Sequence, residues 1–461
     1  MICANKLTVV RLTQIIIVTL AAVLLATPQS SAQQNDAESA RLERAASLIS
    51  SDRVGEAEQE LNSILKTRPN DALALNLLGT VRAKQGRLDE AEALFARAVR
   101  VDDKFAGAHM NLAYLYLLEK APGKTVEELK AVHRLVPEDA DVSYKLAHLL
   151  LTLGRADDCI AVVEEARRAN QATPPMLALL GDAYTSKGDA GRAEESYKLA
   201  LGADAGNADA LLGLALVAQT KGDARSASLY LARVRGLLAD SPDALYRFAV
   251  AALRSEMFDD ARGALERAVQ LRPDEPVYLV ALGAVWLKKT ELFEAERIFR
   301  QALKLQPDNA QAQMYLGYTL LKQKKYPEAR ELLESSAAKD ASAPETFYYL
   351  GLIAEEQNED EHAVALFGKS VTLAPSFAVA HIALGSTYLK LKDYDHARQE
   401  LETGVKLKPD DSKAHYNLAR LYALLKEPER AKGEMAIVEK LKNAGKPQTQ
   451  EADIAAPSSP R

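Results

Sequence analysis

Cysteine and tryptophan are nearly absent from this chain of 461 residues, which contains two cysteines and one tryptophan. Cys3 precedes a segment that resembles an export signal, so the exported chain keeps only Cys159 and can form no internal disulfide. Aromatic residues make up 6% of the chain, and the 48% hydrophobic fraction consists mainly of alanine and leucine. This composition is typical of helix-rich proteins that are stabilised by packing, and it predicts an all-α fold.

Clustered positive charge is missing as well. The formal net charge is −6, and lysine and arginine form no sustained stripe along the chain. Nucleic acids and anionic membrane surfaces bind proteins that displace counterions with clustered cations. We therefore expect no nucleic-acid partner and no direct membrane binding, apart from an N-terminal anchor if the leader stays uncleaved.

The N-terminal segment, residues 1–32, is typical of a signal peptide. Lys6 and Arg11 precede an apolar run over residues 15–26, and small residues follow the run. This pattern predicts an exported protein in a periplasmic or other extracytoplasmic compartment. The apolar run itself is shorter than the roughly 20 residues that a membrane span needs. The alternative is an uncleaved anchor formed by the longer segment of residues 7–27.

A period of 34 residues organises the rest of the chain. With position 1 at Glu38, twelve units run without insertion or deletion over residues 38–445, after a short lead-in at residues 33–37. Residues 446–461 are polar and rich in proline, which predicts a disordered tail. The prolines that mark the period are Pro69, Pro137, Pro273, Pro307, Pro375 and Pro409.

The columns of this register predict a pair of helices in each unit. Position 8 is glycine or alanine in all twelve units, and position 20 is alanine in ten. Positions 4, 7, 8 and 11 share one helix face, and positions 20, 24 and 27 share a face of a second helix. Small residues let the two helices cross closely, with glycine or a polar residue at position 15 between them. One hairpin cannot bury such faces alone, so the units should stack into an α-solenoid.

Two stretches carry these columns almost completely: "LLGTVRAKQGRLDEAEALFARAVRVD" at residues 77–102 and "ALGAVWLKKTELFEAERIFRQALKLQP" at residues 281–307. They resemble the tetratricopeptide repeat. The resemblance implies antiparallel helix pairs that wind into a right-handed superhelix, with the first helix of each pair lining the concave face. It implies protein binding and no particular activity.

No arrangement of residues in the sequence predicts a catalytic, cofactor or metal site. His109, His381 and His415 all occupy position 4, which favours packing over metal binding. Trp286 occupies position 11, a core column, and we expect it to pack beside Gly283. We therefore predict that the protein is not an enzyme and has no cofactor.

The resemblance places partner contacts at positions 2, 5, 9, 12 and 13 of the first helices. Tyrosine suits such contacts because its ring is large and rigid and its hydroxyl is polar. Tyr114 and Tyr318, at position 9, are the stronger candidates, since tyrosine is common at position 5 of these repeats. The predicted contacts are Met110, Tyr114, Tyr144, His148, Tyr246, Tyr318, Tyr348, Tyr416 and Arg420.

Two further features concern partners. An acidic segment at residues 355–361 begins on the predicted concave side, and Lys390 is among the lysines expected to offset it. Met435, Val438 and Leu441 in the last repeat have no following helix to cover them, which leaves self-association through the C-terminal repeat open.

These features lead to two hypotheses about function. The first is a non-catalytic scaffold or adaptor of the cell envelope that binds peptide or protein partners in the concave groove. The second is an accessory, substrate-selecting subunit of an enzyme complex whose catalytic chain is separate.

Overall fold

The computed structural model describes residues 34–238 and 240–443, and every regular element within them is an α-helix. The predicted leader at residues 1–32 and the predicted tail at residues 446–461 lie outside the described residues. The described helices are α1 (Gln34–Ser50), α2 (Val54–Thr67), α3 (Ala72–Lys84), α4 (Leu88–Val101), α5 (Ala106–Leu118), α6 (Pro122–Leu135), α7 (Ala140–Thr152), α8 (Ala156–Arg168), α9 (Pro174–Ser186), α10 (Ala190–Ala203), α11 (Ala208–Thr220), α12 (Ala224–Arg235), α13 (Pro242–Arg254), α14 (Phe258–Leu271), α15 (Pro276–Lys288), α16 (Leu292–Leu305), α17 (Ala310–Lys322), α18 (Tyr326–Lys339), α19 (Pro344–Glu356), α20 (Asp360–Leu373), α21 (Ala378–Lys390), α22 (Tyr394–Leu407), α23 (Ser412–Leu424) and α24 (Pro428–Asn443).

These helices form twelve consecutive pairs, one for each predicted repeat, which confirms the helical-hairpin fold within the described residues. The chain divides into two compact units, one ending at Val217 and the other beginning at Ala218. None of the described helices combines the length and the apolar character that a membrane crossing requires.

Local sequence fixes where the first helix of a repeat begins. The side chains of Asp71 and Asn309 each accept a hydrogen bond, 2.9 Å long, from the backbone N–H three residues later. Such N-caps contribute about 1 kcal/mol each. Other first helices begin at a proline, as α13 does at Pro242, where the missing N–H costs no helical hydrogen bond.

Position 15 ends the first helix by turning the backbone into the left-handed region. It has a positive φ in every described repeat, and glycine, which adopts such angles without strain, occupies it four times. The other eight repeats place a residue with a β-carbon there. The position 15 residues are Asp52, Gly86, Lys120, Gly154, Gly188, Gly222, Glu256, Thr290, Lys324, Asn358, Lys392 and Lys426.

We expect Thr290→Gly to stabilise repeat 8. Thr290 has φ 61°, and a β-branched residue is strained in this region by about 1 kcal/mol. The variant should therefore unfold at a higher urea concentration, as measured by the fluorescence of Trp286 in the same repeat. Thr403→Gly, in the interior of α22, is the matched control and should destabilise that helix. A lower midpoint for Thr290→Gly would contradict the strain.

The crossing of the two helices in a repeat depends on a pair of residues at positions 8 and 24. The Phe299 ring lies so close to Gly283 that an added Cβ would be 2.5 Å from one of its carbon atoms. A Cβ on Gly181 would be 2.4 Å from the Tyr197 ring. All four aromatic residues at position 24 face a glycine at position 8, whereas every repeat with alanine at position 8 has an aliphatic residue at position 24. An aromatic residue at position 24 is therefore matched to a glycine at position 8 in each repeat that has one.

Candidate protein-binding surfaces

Most tyrosines predicted to line a groove are buried between repeats. The Tyr318 ring is 3% exposed and stacks on Tyr349 of the next repeat, with ring centroids 4.4 Å apart. Tyr246 at position 5 packs against Tyr278 of the next repeat at 5.6 Å. In these two repeats the first helix of the following repeat covers the tyrosine at position 5 or position 9. The prediction that Tyr246 and Tyr318 present open contact surfaces is wrong for this reason.

Three more predicted contacts are buried as well. Tyr348 packs edge-on against Phe377 at 5.4 Å and contacts the Phe367 ring at 5.8 Å. The same kind of burial at Tyr246, described above, raises the pKa of its hydroxyl to about 12. Met110 and Tyr114 are also enclosed, although the Tyr114 hydroxyl accepts a hydrogen bond from Lys145 Nζ at 3.1 Å. These side chains stabilise the stack, and the Tyr114 hydroxyl also contacts a polar group on the first helix of the next repeat.

An accessible face remains on the first helices of repeats 3 and 4. His148 is exposed and Tyr144 is half-buried, with their rings 6.0 Å apart on α7. Lys145 on the same helix forms an ion pair with Asp141. Leu117 at position 12 of repeat 3 is 49% exposed, which the sequence analysis did not single out. We call Leu117, Tyr144, Lys145 and His148 the repeat 3–4 face. It combines apolar, aromatic and charged groups, as protein-binding surfaces do.

The acidic segment of repeat 10 is largely paired. Glu359 accepts from Arg330 at 2.8 Å, and Asp360 forms an ion pair with Lys390 at 2.7 Å, as predicted for that lysine. Glu355 on α19 differs, because burial raises the pKa of its carboxyl while Lys413 and Lys390 lower it in part. This half-buried acid is the member of the segment best placed to gain from a basic partner group.

The last two predicted contacts lie in repeat 12. Tyr416 is 47% exposed and the Arg420 guanidinium lies 5.9 Å from its ring centroid. Tyr416 occupies position 5, the same column as the buried Tyr246. Its exposure therefore follows from the end of the described stack after α24 and is not a property of position 5 in general.

Trp286 and the histidines at position 4 belong to the packed interior. Trp286 is half-buried, with the Arg262 guanidinium of the preceding repeat 5.4 Å from its ring. His381 Nδ1 contacts the Glu400 carboxylate at 2.6 Å, and its Nε2 contacts the Pro375 carbonyl oxygen at 3.0 Å. Both nitrogens face acceptors, which favours the doubly protonated imidazolium. No group of metal-ligating side chains occurs within residues 34–238 and 240–443.

The same arrangement occurs three times. In each case the imidazole of position 4 joins the carboxylate of position 23 in its own repeat to a carbonyl in the loop that precedes the repeat. The histidine–glutamate pairs are His109–Glu128, His381–Glu400 and His415–Glu434.

We expect repeat 11 to lose stability as the pH rises. The hydrogen bond to Glu400, helped by the Pro375 carbonyl and opposed by burial, raises the pKa of His381 above its ordinary value of 6.5. A raised pKa means that the contribution is complete below about pH 6.5 and is lost as the pH rises through the folded-state pKa. Hydrogen exchange of α21 and α22 between pH 5 and 9, corrected for intrinsic rates, measures this loss.

His381→Gln is the control for this prediction. A glutamine keeps the hydrogen bond to the loop carbonyl, as Gln313 does with the Pro307 carbonyl at 2.9 Å, but it does not titrate. The pH dependence of protection in repeat 11 should therefore become flatter in the variant. An unchanged pH dependence would contradict the role of His381.

The fold defines a helical repeat protein built from stacked helix pairs. A family model described as tetratricopeptide repeat matches residues 42–104, 76–141, 212–276, 291–344 and 320–376. Two further models with the same description match residues 117–183 and 352–415, and residues 174–207. The first model alone covers more than half of the sequence, so the chain belongs to the tetratricopeptide repeat family, whose fold serves as a scaffold for protein–protein interaction.

One curated relative is cellulose synthase operon protein C of Xanthomonas axonopodis pv. citri (strain 306). It is 30% identical over 166 residues, which is 36% of this chain and 9% of that protein. The chain therefore matches less than a tenth of the length of this relative.

Two solved structures are similar to this chain at low sequence identity. The Cut9–Hcn1 hetero-tetramer of the APC/C has a TM-score of 0.44 and 16% identity, over 82% of this chain and 95% of that chain. The pilF structure from Pseudomonas aeruginosa has a TM-score of 0.41 and 22% identity, over 45% of this chain and 95% of that chain.

Proposed function

We propose that this protein is a non-catalytic scaffold of the cell envelope that binds a protein or peptide partner on the repeat 3–4 face. The observation that carries the proposal is the exposure of His148 at position 9, because that position is buried or half-buried in every other described repeat except the last. His148 and Leu117 are exposed, and Tyr144 adds an aromatic edge beside the charged Lys145. Aromatic and apolar anchors within a polar surround supply most of the binding energy in protein interfaces.

The chemistry of this face favours a polypeptide over a charged polymer. Lys145 and Asp141 already neutralise each other, so the face has little net charge. In repeat 10 the half-buried Glu355 offers a second contact, for a basic group of the same partner or of another one. Burial raises the pKa of the Glu355 carboxyl, which disfavours its charged form. A cation of the partner placed beside this carboxylate would stabilise the charged form.

The predicted leader supports the assignment to the envelope. The N-terminal pattern is that of a cleaved leader, and we propose that the mature chain begins at Gln33. Sequencing the N-terminus of protein recovered from cell fractions tests this. A chain that begins at Met1 in the membrane fraction would instead support the anchor formed by residues 7–27.

Site-specific photocrosslinking tests the binding surface. We expect a photoreactive phenylalanine analogue at His148 to crosslink a discrete partner in cells. The same analogue at Ala161, which is exposed on α8 in the same repeat, is the control and should not. Equal crosslinking at both sites, or none at His148, would contradict the proposal.

A second candidate is an accessory subunit that selects substrate for a separate catalytic chain. The relative that takes its printed name from a cellulose synthase operon favours it, because that name links a protein similar to this chain to an operon for a polymer-forming enzyme. In this case the purified chain should be inert, and its addition should change the activity of the crosslinked partner. A partner whose activity is independent of this chain would favour the scaffold alone.

A further inference from the structure

Three joints between repeats in the unit that begins at Ala218 share an ion pair at the same two positions. In each of them, position 21 on the second helix of one repeat pairs with position 16 of the next repeat, just before its second helix. The pairing occurs in both polarities, since the acid precedes the base in one joint and follows it in two others. The pairs are Glu296–Lys325 at 3.0 Å, Arg330–Glu359 at 2.8 Å and Arg398–Glu427 at 2.5 Å.

Repeat 12 presents one half of such a joint. Met435 occupies position 24 and is 44% exposed, whereas the residue at position 24 is at most 6% exposed in the other eleven repeats. Tyr416, at the position that the following repeat covers elsewhere, is also exposed. Leu424 adds a third apolar side chain to the same end of the stack, 53% exposed. We call Tyr416, Leu424, Lys432 and Met435 the terminal face.

Lys432 gives the terminal face a positive charge. It occupies position 21, where Arg330 and Arg398 each pair with a glutamate at position 16 of the following repeat. Lys432 is exposed and forms no ion pair within the described residues. The cation that would hold the next joint is therefore in place beside the apolar centre of the terminal face.

We propose that the terminal face docks the leading helical hairpin of a different protein, one that carries an acidic residue where position 16 would fall. The partner's first helix would cover Met435 and Tyr416 with small and apolar residues, as the next repeat does at the joints within the chain. Its acid would pair with Lys432. The contact would extend the stack of hairpins across two proteins by the geometry that this chain uses internally.

Two other occupants fit the terminal face less well. A second copy stacked head to tail would bring its own position 16, which is Arg53, toward Lys432, and like charges would meet. The chain's own residues 444–461 contain a single large apolar residue, Ile454, which is too little to cover Met435, Tyr416 and Leu424. A foreign hairpin with an acid satisfies both the apolar surface and the charge.

A peptide with the sequence of residues 412–443 is a direct probe, because it forms the matching half-joint with repeat 11 and carries Glu427 at position 16. Fluorescence anisotropy measures its binding to the full chain. We expect binding that weakens at least tenfold with Lys432→Glu in the protein or with Glu427→Lys in the peptide. Combining the two reversals should restore the binding. Lys406→Glu, the same change of charge on the exposed surface of α22, is the control and should leave binding unchanged.

The same hairpin fused after Gly445 removes the requirement that a short peptide fold by itself. Hydrogen exchange should then show added protection of α24, which Lys432→Glu reduces and the double reversal restores. Failure of both the peptide and the fusion to respond to Lys432 would overturn the proposal. So would a dimer of the full chain that Met435→Glu dissociates, since a second copy would then occupy the face.

The terminal face and the repeat 3–4 face are separate surfaces, so binding at one does not depend on binding at the other. Lys432 and Met435 belong to a different compact unit from His148. Loss of peptide binding would leave crosslinking from His148 unchanged, so failure of one proposal is distinguishable from failure of the other.

Discussion

Gly283→Ala is expected to destabilise repeat 8 by about 2–3 kcal/mol, at the upper end of the cost of overpacking a core. The new methyl group would lie 2.5 Å from the Phe299 ring. The Phe299 ring is also held by stacking on Tyr315, with centroids 5.5 Å apart, and it is fully buried. Urea unfolding followed by the fluorescence of Trp286, the only tryptophan of the chain, measures the change in the repeat that carries it.

The combined variant Gly283→Ala with Phe299→Leu is the control. It recreates the pair found in repeat 7, where Ala249 faces Leu265 in a buried crossing. We expect it to be more stable than Gly283→Ala alone. If Phe299→Leu adds its own loss instead of relieving the first one, the two residues are not matched in the way proposed.

Tyr318→Ala is expected to cost about 3–4 kcal/mol of stability, since truncation of a buried aromatic side chain leaves a cavity. The lost ring stacks on the fully buried Tyr349. His148→Ala should change stability by less than about 0.5 kcal/mol, because surface substitutions away from special contacts rarely do more. Urea unfolding monitored by circular dichroism compares the two variants.

The two substitutions should have the opposite ranking in their effects on capture of the partner. His148→Ala is expected to weaken capture, while Tyr318→Ala assayed well below its unfolding midpoint should retain it. Tyr318→Phe separates ring from hydroxyl and should keep most of the stability. If Tyr318→Ala were as stable as the unchanged chain, the assignment of this ring to the interior would be wrong.

The fold could be predicted from the sequence because the same residue types recur at the same positions in twelve repeats. Glycine and alanine at position 8 indicated close helix crossings, and the structure places Gly181 and Gly283 against aromatic rings there. Gly188 and the other turn residues at position 15 have the left-handed conformation that ends each first helix. These features are local to one hairpin, which is why spacing along the chain was sufficient.

The candidate surfaces were less predictable because they depend on the joint between hairpins. Periodicity identifies the helix face on which Tyr246 and Tyr318 lie, but not how far the next helix covers that face. Contacts with Tyr278 and Tyr349 decide it, and these residues lie more than thirty positions away. Leu117 occupies position 12, one of the contact positions that the resemblance implies, and it was missed because leucine is also common in the core columns.

The size-matched pairs at positions 8 and 24 also restrict the order in which the sequence can change. Substitution of glycine by alanine before the aromatic residue shrinks would pass through an overpacked hairpin. The reverse order passes through glycine facing leucine, a combination present as Gly317 with Leu333 and Gly385 with Leu401. No repeat combines alanine at position 8 with an aromatic residue at position 24. The twelve hairpins thus contain both end points and one intermediate of a path on which the aromatic residue is replaced before the glycine.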